Sequence, residues 1–102
     1  MDAVDDFSLR VEQNGQGPVV WLSGELDIAT APLLRDCLKG LDGQRVTLDL
    51  SALTFLDSAG LSVLARRHRD VDGGLVLRGV RPAQMRVFAI TGLDDVLIFD
   101  GT

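Results

Sequence analysis

The sequence has little of what metal and nucleophile chemistry requires. It holds one cysteine, Cys37, and one histidine, His68, in 102 residues. A single thiol excludes an intramolecular disulfide. One thiol and one imidazole cannot supply a metal's ligand set at fixed spacing, so no metal and no cofactor is expected. Cys37 falls on the apolar face of a predicted helix, which suits a buried structural thiol rather than a reactive one. Long apolar runs are also absent, and none approaches the ~20 residues that span a bilayer. The start, Met-Asp-Ala-Val-Asp-Asp, has neither the basic residues nor the apolar stretch of a signal peptide. The cytoplasm is therefore the expected compartment, with no membrane insertion. Lysine is nearly missing, Lys39 being the only one, and the acidic residues outnumber the basic ones to give a formal net charge of -5. An acidic surface repels phosphate backbones, which argues against a nucleic-acid partner.

What is present suits a small soluble domain. Apolar residues make up 46% and charged residues 25% of the chain, the ordinary balance for a globular protein. A chain of this length buries roughly 65% of its unfolded surface without help from metals or disulfides. One domain over residues 1–102 is expected. The acidic first six residues are expected to be mobile.

Short β-like runs alternate with helical stretches. Phe7, Leu9 and Val11 share one side of a first strand. Asn14-Gly15-Gln16-Gly17 supplies turn chemistry, and Pro18–Ser23 suits a second strand that closes a hairpin. Gly24–Asp27 reads as a loop. Thr30 is placed to cap a helix with Pro32 in its first turn, and Leu34, Cys37, Leu38 and Leu41 recur at helical spacing. Gly40 or Gly43 ends that helix. Arg45–Leu50 alternates as a third strand, and a connection runs from Ser51 to Leu56. Asp57-Ser58 then starts a second helix with Leu61, Leu64 and Ala65 inward and His68 following. Gly73-Gly74 breaks the chain before a strand at Leu75–Arg78. Pro82 opens a third helix with Met85, Phe88 and Ala89 inward. Gly92 provides a left-handed cap with Leu93 set to contact Phe88, and Val96–Phe99 is a last strand. This order predicts an α/β fold with a mixed, largely parallel sheet of about five strands, an N-terminal hairpin, and helices packed on the sheet.

Catalytic constellations are hard to find. His68 lies ten residues after Ser58 on one predicted helix, or ~15 Å along its axis, too far to activate the serine. Ser58 also lacks the glycine two places earlier that a nucleophile elbow needs. No glycine-rich loop has phosphate-binding spacing. No catalytic residue is assigned, and the chain reads as a binding protein rather than an enzyme. Arg66, Arg67 and Arg69 cluster at the end of the second helix, where cations favour the helix dipole. They are either a solvated helix end or a partner contact.

The most informative stretch is Asp49-Leu50-Ser51-Ala52-Leu53-Thr54-Phe55-Leu56-Asp57-Ser58-Ala59-Gly60-Leu61. On physical grounds alone, Asp57 and Ser58 are accounted for as helix caps. The segment also resembles the signature of STAS-domain anti-sigma factor antagonists (bacterial anti-anti-sigma factors): a strand ending in Asp-Leu-Ser, then a helix start of Asp-Ser-x-Gly-Leu. Gly24-Glu25-Leu26-Asp27, followed by Thr30-Ala31-Pro32, is similar to the family's loop and first helix start. The resemblance spans nearly the whole chain and implies the STAS fold.

It also implies a mechanism. The unphosphorylated antagonist binds an anti-sigma factor that is itself a serine kinase using ATP and Mg²⁺, which frees a sigma factor. Phosphorylation of the motif serine, here Ser58, abolishes binding, and a PP2C-type phosphatase resets it. Asp27 and Asp57 match acidic positions near that serine. Helical spacing puts Ser58, Ser62 and Arg66 on one outward stripe, which is either plain solvent-exposed surface or, with Asp27, Asp57, Ala59 and Gly60, the partner-binding surface. Two departures stand out. Ala59 occupies a place where many relatives carry a hydroxyl, leaving Ser58 the sole acceptor in the motif. Ser62 replaces a glycine common in phosphorylated relatives. The alternative is a STAS binding subunit of a lipid-transport or stress-signalling complex, in which Ser58 is a contact and is never phosphorylated. A nucleotide binder ranks below both for want of a phosphate-cradling loop.

Overall fold

A computed structural model of the chain describes residues 7–15, 17–41, 43–71 and 74–100. The expected mobility of the first six residues, and the break expected at Gly73, lie outside them.

Five strands lie in sequential order: β1 (Ser8–Asn14), β2 (Gly17–Leu26), β3 (Val46–Leu56), β4 (Leu75–Arg78) and β5 (Ile98–Phe99). β1 and β2 form the antiparallel hairpin, and every later pairing is parallel. The parallel steps are bridged by α1 (Ala31–Lys39), α2 (Ser58–Asp70) and α3 (Pro82–Thr91). Crossovers of one hand that always step the same way along a sheet put their helices on one face. The core agrees: Val20, Leu22, Leu48, Leu50, Leu75 and Leu77 from the strands join Leu34 and Leu38 of α1, Leu61 and Leu64 of α2, and Phe88 of α3 in one buried cluster. Phe88 meets Phe99 edge-on, with ring centroids 5.3 Å apart.

The other face of the sheet carries a row across four strands, Arg10, Trp21, Asp49 and Arg78, each the register partner of the next. The guanidiniums of Arg10 and Arg78 lie 5.1 and 4.8 Å from the Trp21 ring centroid, a favourable stacking of cation on π-face. Arg78 Nε donates to Asp49 Oδ2 at 2.8 Å. Burial pushes the Asp49 carboxyl up, but hydrogen bonds from Ser51 and Arg78, with the guanidinium charge beside it, outweigh that and hold it below the usual aspartate range.

The third strand corrects the expected connection at Ser51–Leu56, which is strand throughout. So is Gly24–Leu26, expected as loop. Pairing between β2 and β3 slips twice, between Trp21 and Ser23 and between Gly24 and Glu25, with one extra residue on β3 each time. Each bulge shifts the inward register by one, so Leu50, Leu53 and Leu56 face the core at a spacing of three. That spacing hides a strand from a search for alternation. Asp49 Oδ1 braces the first bulge, accepting from Ser51 N at 2.9 Å and Ser51 Oγ at 2.5 Å. Near the second, the Leu53 carbonyl accepts from Gln84 Nε2 at 2.6 Å and from Arg81 Nη2.

Gln84 also explains why the inner face of α3 differs from expectation. Gln84 and Phe88 are buried, while Met85 and Ala89 are exposed. The Leu53 carbonyl draws this polar Gln84 inward, so the buried stripe of α3 departs from its apolar pattern. Gly92 adopts the expected left-handed cap at φ 79°, its N–H donating to Ala89 O and Phe88 O. Leu93–Asp95 then make a turn of 3-10 helix, so the last strand begins at Ile98 rather than Val96. At the other end of the chain, α1 stops at Gly40, the first of its two expected ends. Cys37 is half-buried against the core, and burial pushes its thiol up.

Candidate functional site

The site forms where β2 and β3 leave the sheet side by side. Leu26 and Leu56 are register partners, and Asp57 N donates to Leu26 O at 3.2 Å. The next residues of each chain, Asp27 and Asp57-Ser58, are thereby brought to one end of the sheet. Loops beyond the carboxyl ends of parallel strands are where α/β proteins commonly place function.

Each aspartate orders its own turn. Asp27 Oδ1 accepts from Ala29 N at 3.0 Å and Thr30 N at 3.1 Å. This corrects the expected cap on α1: Thr30 makes no side-chain cap bond. Its hydroxyl instead donates back to Glu25 O at 2.8 Å and accepts from Asp27 N at 2.9 Å, so Thr30 ties the loop to the strand and Asp27 takes the turn's N–H groups. Asp57 does cap α2, as its sequence position predicts. Its extended backbone lets Oδ1 accept from Ala59 N at 2.9 Å and Gly60 N at 3.3 Å.

Ser58 is the first residue of α2 and is exposed. Its hydroxyl has no hydrogen-bond partner among the described residues. Ser62 Oγ donates to the Ser58 carbonyl at 2.9 Å, one turn along the same face. Ser62 and Arg66 are exposed and Leu61 and Leu64 buried, as helical spacing predicts. Gly60 is different. It is buried, and a Cβ on it would sit 2.7 Å from Leu26 Cγ and 2.9 Å from Leu56 Cδ1. Gly60 lets the helix start lie against both strand ends, which gives it a packing role of its own.

The basic cluster divides as well. Arg66 and Arg69 are exposed, but Arg67 is only 6% exposed. Arg67 Nη1 donates to Leu38 O at 2.8 Å, and Nη2 to Leu41 O at 2.9 Å and Gln44 O at 2.8 Å. It adds a second donor to carbonyls at and beyond the end of α1, where Leu41 N also reaches Leu38 O at 3.0 Å and Gln44 N reaches Leu41 O at 3.2 Å. Of the two readings of the cluster, neither fits Arg67. His68 is half-buried, with Nδ1 unpartnered among the described residues.

Two exposed apolar side chains at this end of the sheet were not singled out from sequence: Ile28, 79% exposed in the β2–α1 loop, and Phe55, 48% exposed near the end of β3. An isoleucine isolated between Asp27 and Ala29, outside any apolar pattern, was the available signal for the first. The bulges hid the second.

The sequence profile of the family described as "Mlab, STAS domain" matches residues 9–98. The chain belongs to the STAS domain family. Its relatives include the anti-sigma-B factor antagonist of Bacillus subtilis, 32% identical over 97 residues, covering 90% of this STAS domain and 89% of the relative. The anti-sigma-F factor antagonist RsfB of Mycobacterium tuberculosis is 32% identical over 101 residues, covering 92% and 81%. Among solved structures, an anti-sigma factor antagonist from Mycobacterium paratuberculosis superposes with TM-score 0.87 at 33% identity over 100% of this chain and 92% of that one. The unphosphorylated form of the antagonist SpoIIAA gives TM-score 0.74 over 91% and 88%; at 22% identity it speaks to the STAS fold alone. Among the described residues of this STAS domain, no helix is long and apolar enough to cross a membrane.

Proposed function

We propose that this STAS domain is an anti-sigma factor antagonist switched at Ser58. In its unphosphorylated form it binds an anti-sigma factor that is also a serine kinase, and phosphorylation of Ser58 releases that partner. A PP2C-type phosphatase restores the binding form. Asp27, Asp57, Ala59, Ser62 and Arg66 surround Ser58 in the interface. The chain acts by binding, without catalysis of its own. Its antagonist relatives, each similar over most of its length, support this reading.

The observation that carries it is the Ser58 hydroxyl: exposed, without a hydrogen-bond partner among the described residues, and set on a helix start braced by Asp57. A kinase can reach it without unfolding anything. The capping arrangement also explains how a phosphate would act. A helix N-terminus ordinarily welcomes an anion, but the N–H groups of Ala59 and Gly60 already serve Asp57. A phosphate carrying about -1.5 to -2 charge is left to solvent, next to a carboxylate. Burying such an uncompensated charge against a partner costs roughly 3–5 kcal/mol, which is ~100-fold or more in affinity.

Phosphopeptide mass spectrometry on the protein from growing and stressed native cells, with Ser58→Ala as control, tests the switch. Phosphate on Ser58 that changes with condition is expected. An unmodified Ser58 in every condition refutes the switch and leaves a constitutive binding subunit. In parallel, Ser58→Ala should keep the complex with the anti-sigma factor and Ser58→Asp should weaken it.

A further inference from the structure

A groove of about 570 Å³ runs between α1 and α2, and Ala59 and Ser62, the neighbours of Ser58 along its helix, form part of its wall. Its charge is opposite to that of the chain. The whole sequence has ten basic residues against fifteen acidic ones. Arg35, Lys39, Arg66 and Arg67 all line this one groove, with Asp70 as the single carboxylate among the lining residues. Arg67 is spent on the α1 carbonyls. Lys39 and Arg66 have no ion pair among the described residues, and Arg35 has only its exposed neighbour Asp36, at 3.5 Å. Between the cations the wall is apolar, with Val63 and Pro32 inside and the exposed Ile28 at the rim.

We propose that this groove receives an acidic amphipathic helix of the anti-sigma factor, so that the partner is held by the groove and switched by Ser58. The inference rests on the function proposed above and adds to it a second contact region with its own chemistry. Three features select this occupant. The cations require acidic residues on the incoming segment. Val63, Pro32 and Ile28 require apolar residues on its other face. The groove runs beside the nine residues of α1, a length of ~13 Å or two to three helical turns, which suits a helix laid along it. An otherwise acidic protein also gains a positive target that steers an acidic partner during approach. Because Ala59 and Ser62 on the first turns of α2 form part of the groove wall, a partner seated in the groove lies beside Ser58.

The test measures binding of the purified cognate anti-sigma kinase to four forms of the full chain: wild type, Ser58→Asp, Arg35→Glu with Lys39→Glu, and Ile28→Ser. The groove substitutions are at exposed positions, and circular dichroism checks their folding. The double charge reversal should slow association about tenfold or more at low salt and remove most of the salt dependence seen in wild type. Ile28→Ser should chiefly speed dissociation. A complex that is lost in Ser58→Asp but indifferent to both groove variants overturns the groove and leaves the Ser58 switch standing. Absence of any complex with wild type overturns the switch reading and the groove with it. The occupant is tested by titrating two probes separately while following amide shifts of Lys39, Val63 and Arg66. A synthetic Glu-rich amphipathic peptide should saturate, and inorganic phosphate should not. Tight saturation by phosphate alone makes the groove a small-anion site and overturns the helix.

Discussion

Arg67 offers the sharpest test of how α1 and α2 are held together. Arg67→Met keeps most of the apolar stem and removes the guanidinium that donates to Leu38 O, Leu41 O and Gln44 O. Gln44 is exposed, so its carbonyl can turn to water. Leu38 and Leu41 are buried residues, and their bonds to Arg67 are buried too. Each of these two carbonyls keeps a backbone donor, Leu41 N at 3.0 Å and Gln44 N at 3.2 Å. What is lost is therefore two buried hydrogen bonds from a charged group, about 1.5–3 kcal/mol each, or about 3–6 kcal/mol for the pair. Part of this is returned because the variant no longer desolvates a charge that faces carbonyls rather than a carboxylate. A net loss of about 2–4 kcal/mol follows, a large share of the 5–15 kcal/mol typical of a whole domain. At roughly 4–8 °C per kcal/mol, the melting temperature should fall by about 8–32 °C. Urea unfolding followed by circular dichroism should show a lower midpoint with an unchanged slope. Arg67→Lys, a single point of charge in place of a planar fork, should fall between the two. A loss under about 0.5 kcal/mol for Arg67→Met, within the range of ordinary surface substitutions, would refute the reasoning, because the backbone donors would then suffice for those carbonyls.

Other expectations follow from the same contacts. Asp57→Ala removes the acceptor for Ala59 N and Gly60 N and should cost about 0.5–2 kcal/mol in urea unfolding; Asp57→Asn should restore most of it. Gly60→Ala should destabilise by about 1–3 kcal/mol, although alanine is the better helix former, because its methyl collides with Leu26 and Leu56; a stabilised variant would mean the helix start can lift. The Asp49 carboxyl is held below its ordinary value of 3.8 by its hydrogen bonds and ion pair. Its contribution to stability is therefore present above that value and lost as pH falls through the depressed one. Acid titration of Asp49→Asn should show that limb flattened, and an unchanged acid limb would remove Asp49 from the account.

The order of strands and helices was legible in the sequence because it depends on local patterning: Val46, Leu48 and Leu50 alternate, Leu34 and Leu38 recur at helical spacing, and Gly92 marks a left-handed cap. The start of α2 was legible for the same reason, since Asp57 caps the residues immediately after it. What escaped depends on long-range partners. The continuation of β3 past Leu50 is visible only once its pairing with β2 shows two bulges, and the inward turn of Gln84 only once the Leu53 carbonyl is known to lie beside it. Arg67 looked like one arginine among three on a helix end. Nothing local distinguishes it, because the carbonyls it serves come from 23 to 29 residues earlier in the chain. The Ser58 environment was half legible: its exposure and stripe with Ser62 and Arg66 follow from periodicity, but the inward Gly60 and the occupied helix N-terminus do not.

The stacking of Trp21 between Arg10 and Arg78 also makes this domain a self-labelled optical reporter. Trp21 is the sole tryptophan in the chain, and the sheet stands between it and the helix layer that bears Ser58. Its emission therefore follows the opening of four strands in an unfolding experiment, undisturbed by any other indole. Changes confined to the helix side, phosphate on Ser58 included, should leave that signal nearly still. A partner that alters the tryptophan spectrum without unfolding the protein has consequently touched the face of the sheet opposite the helices.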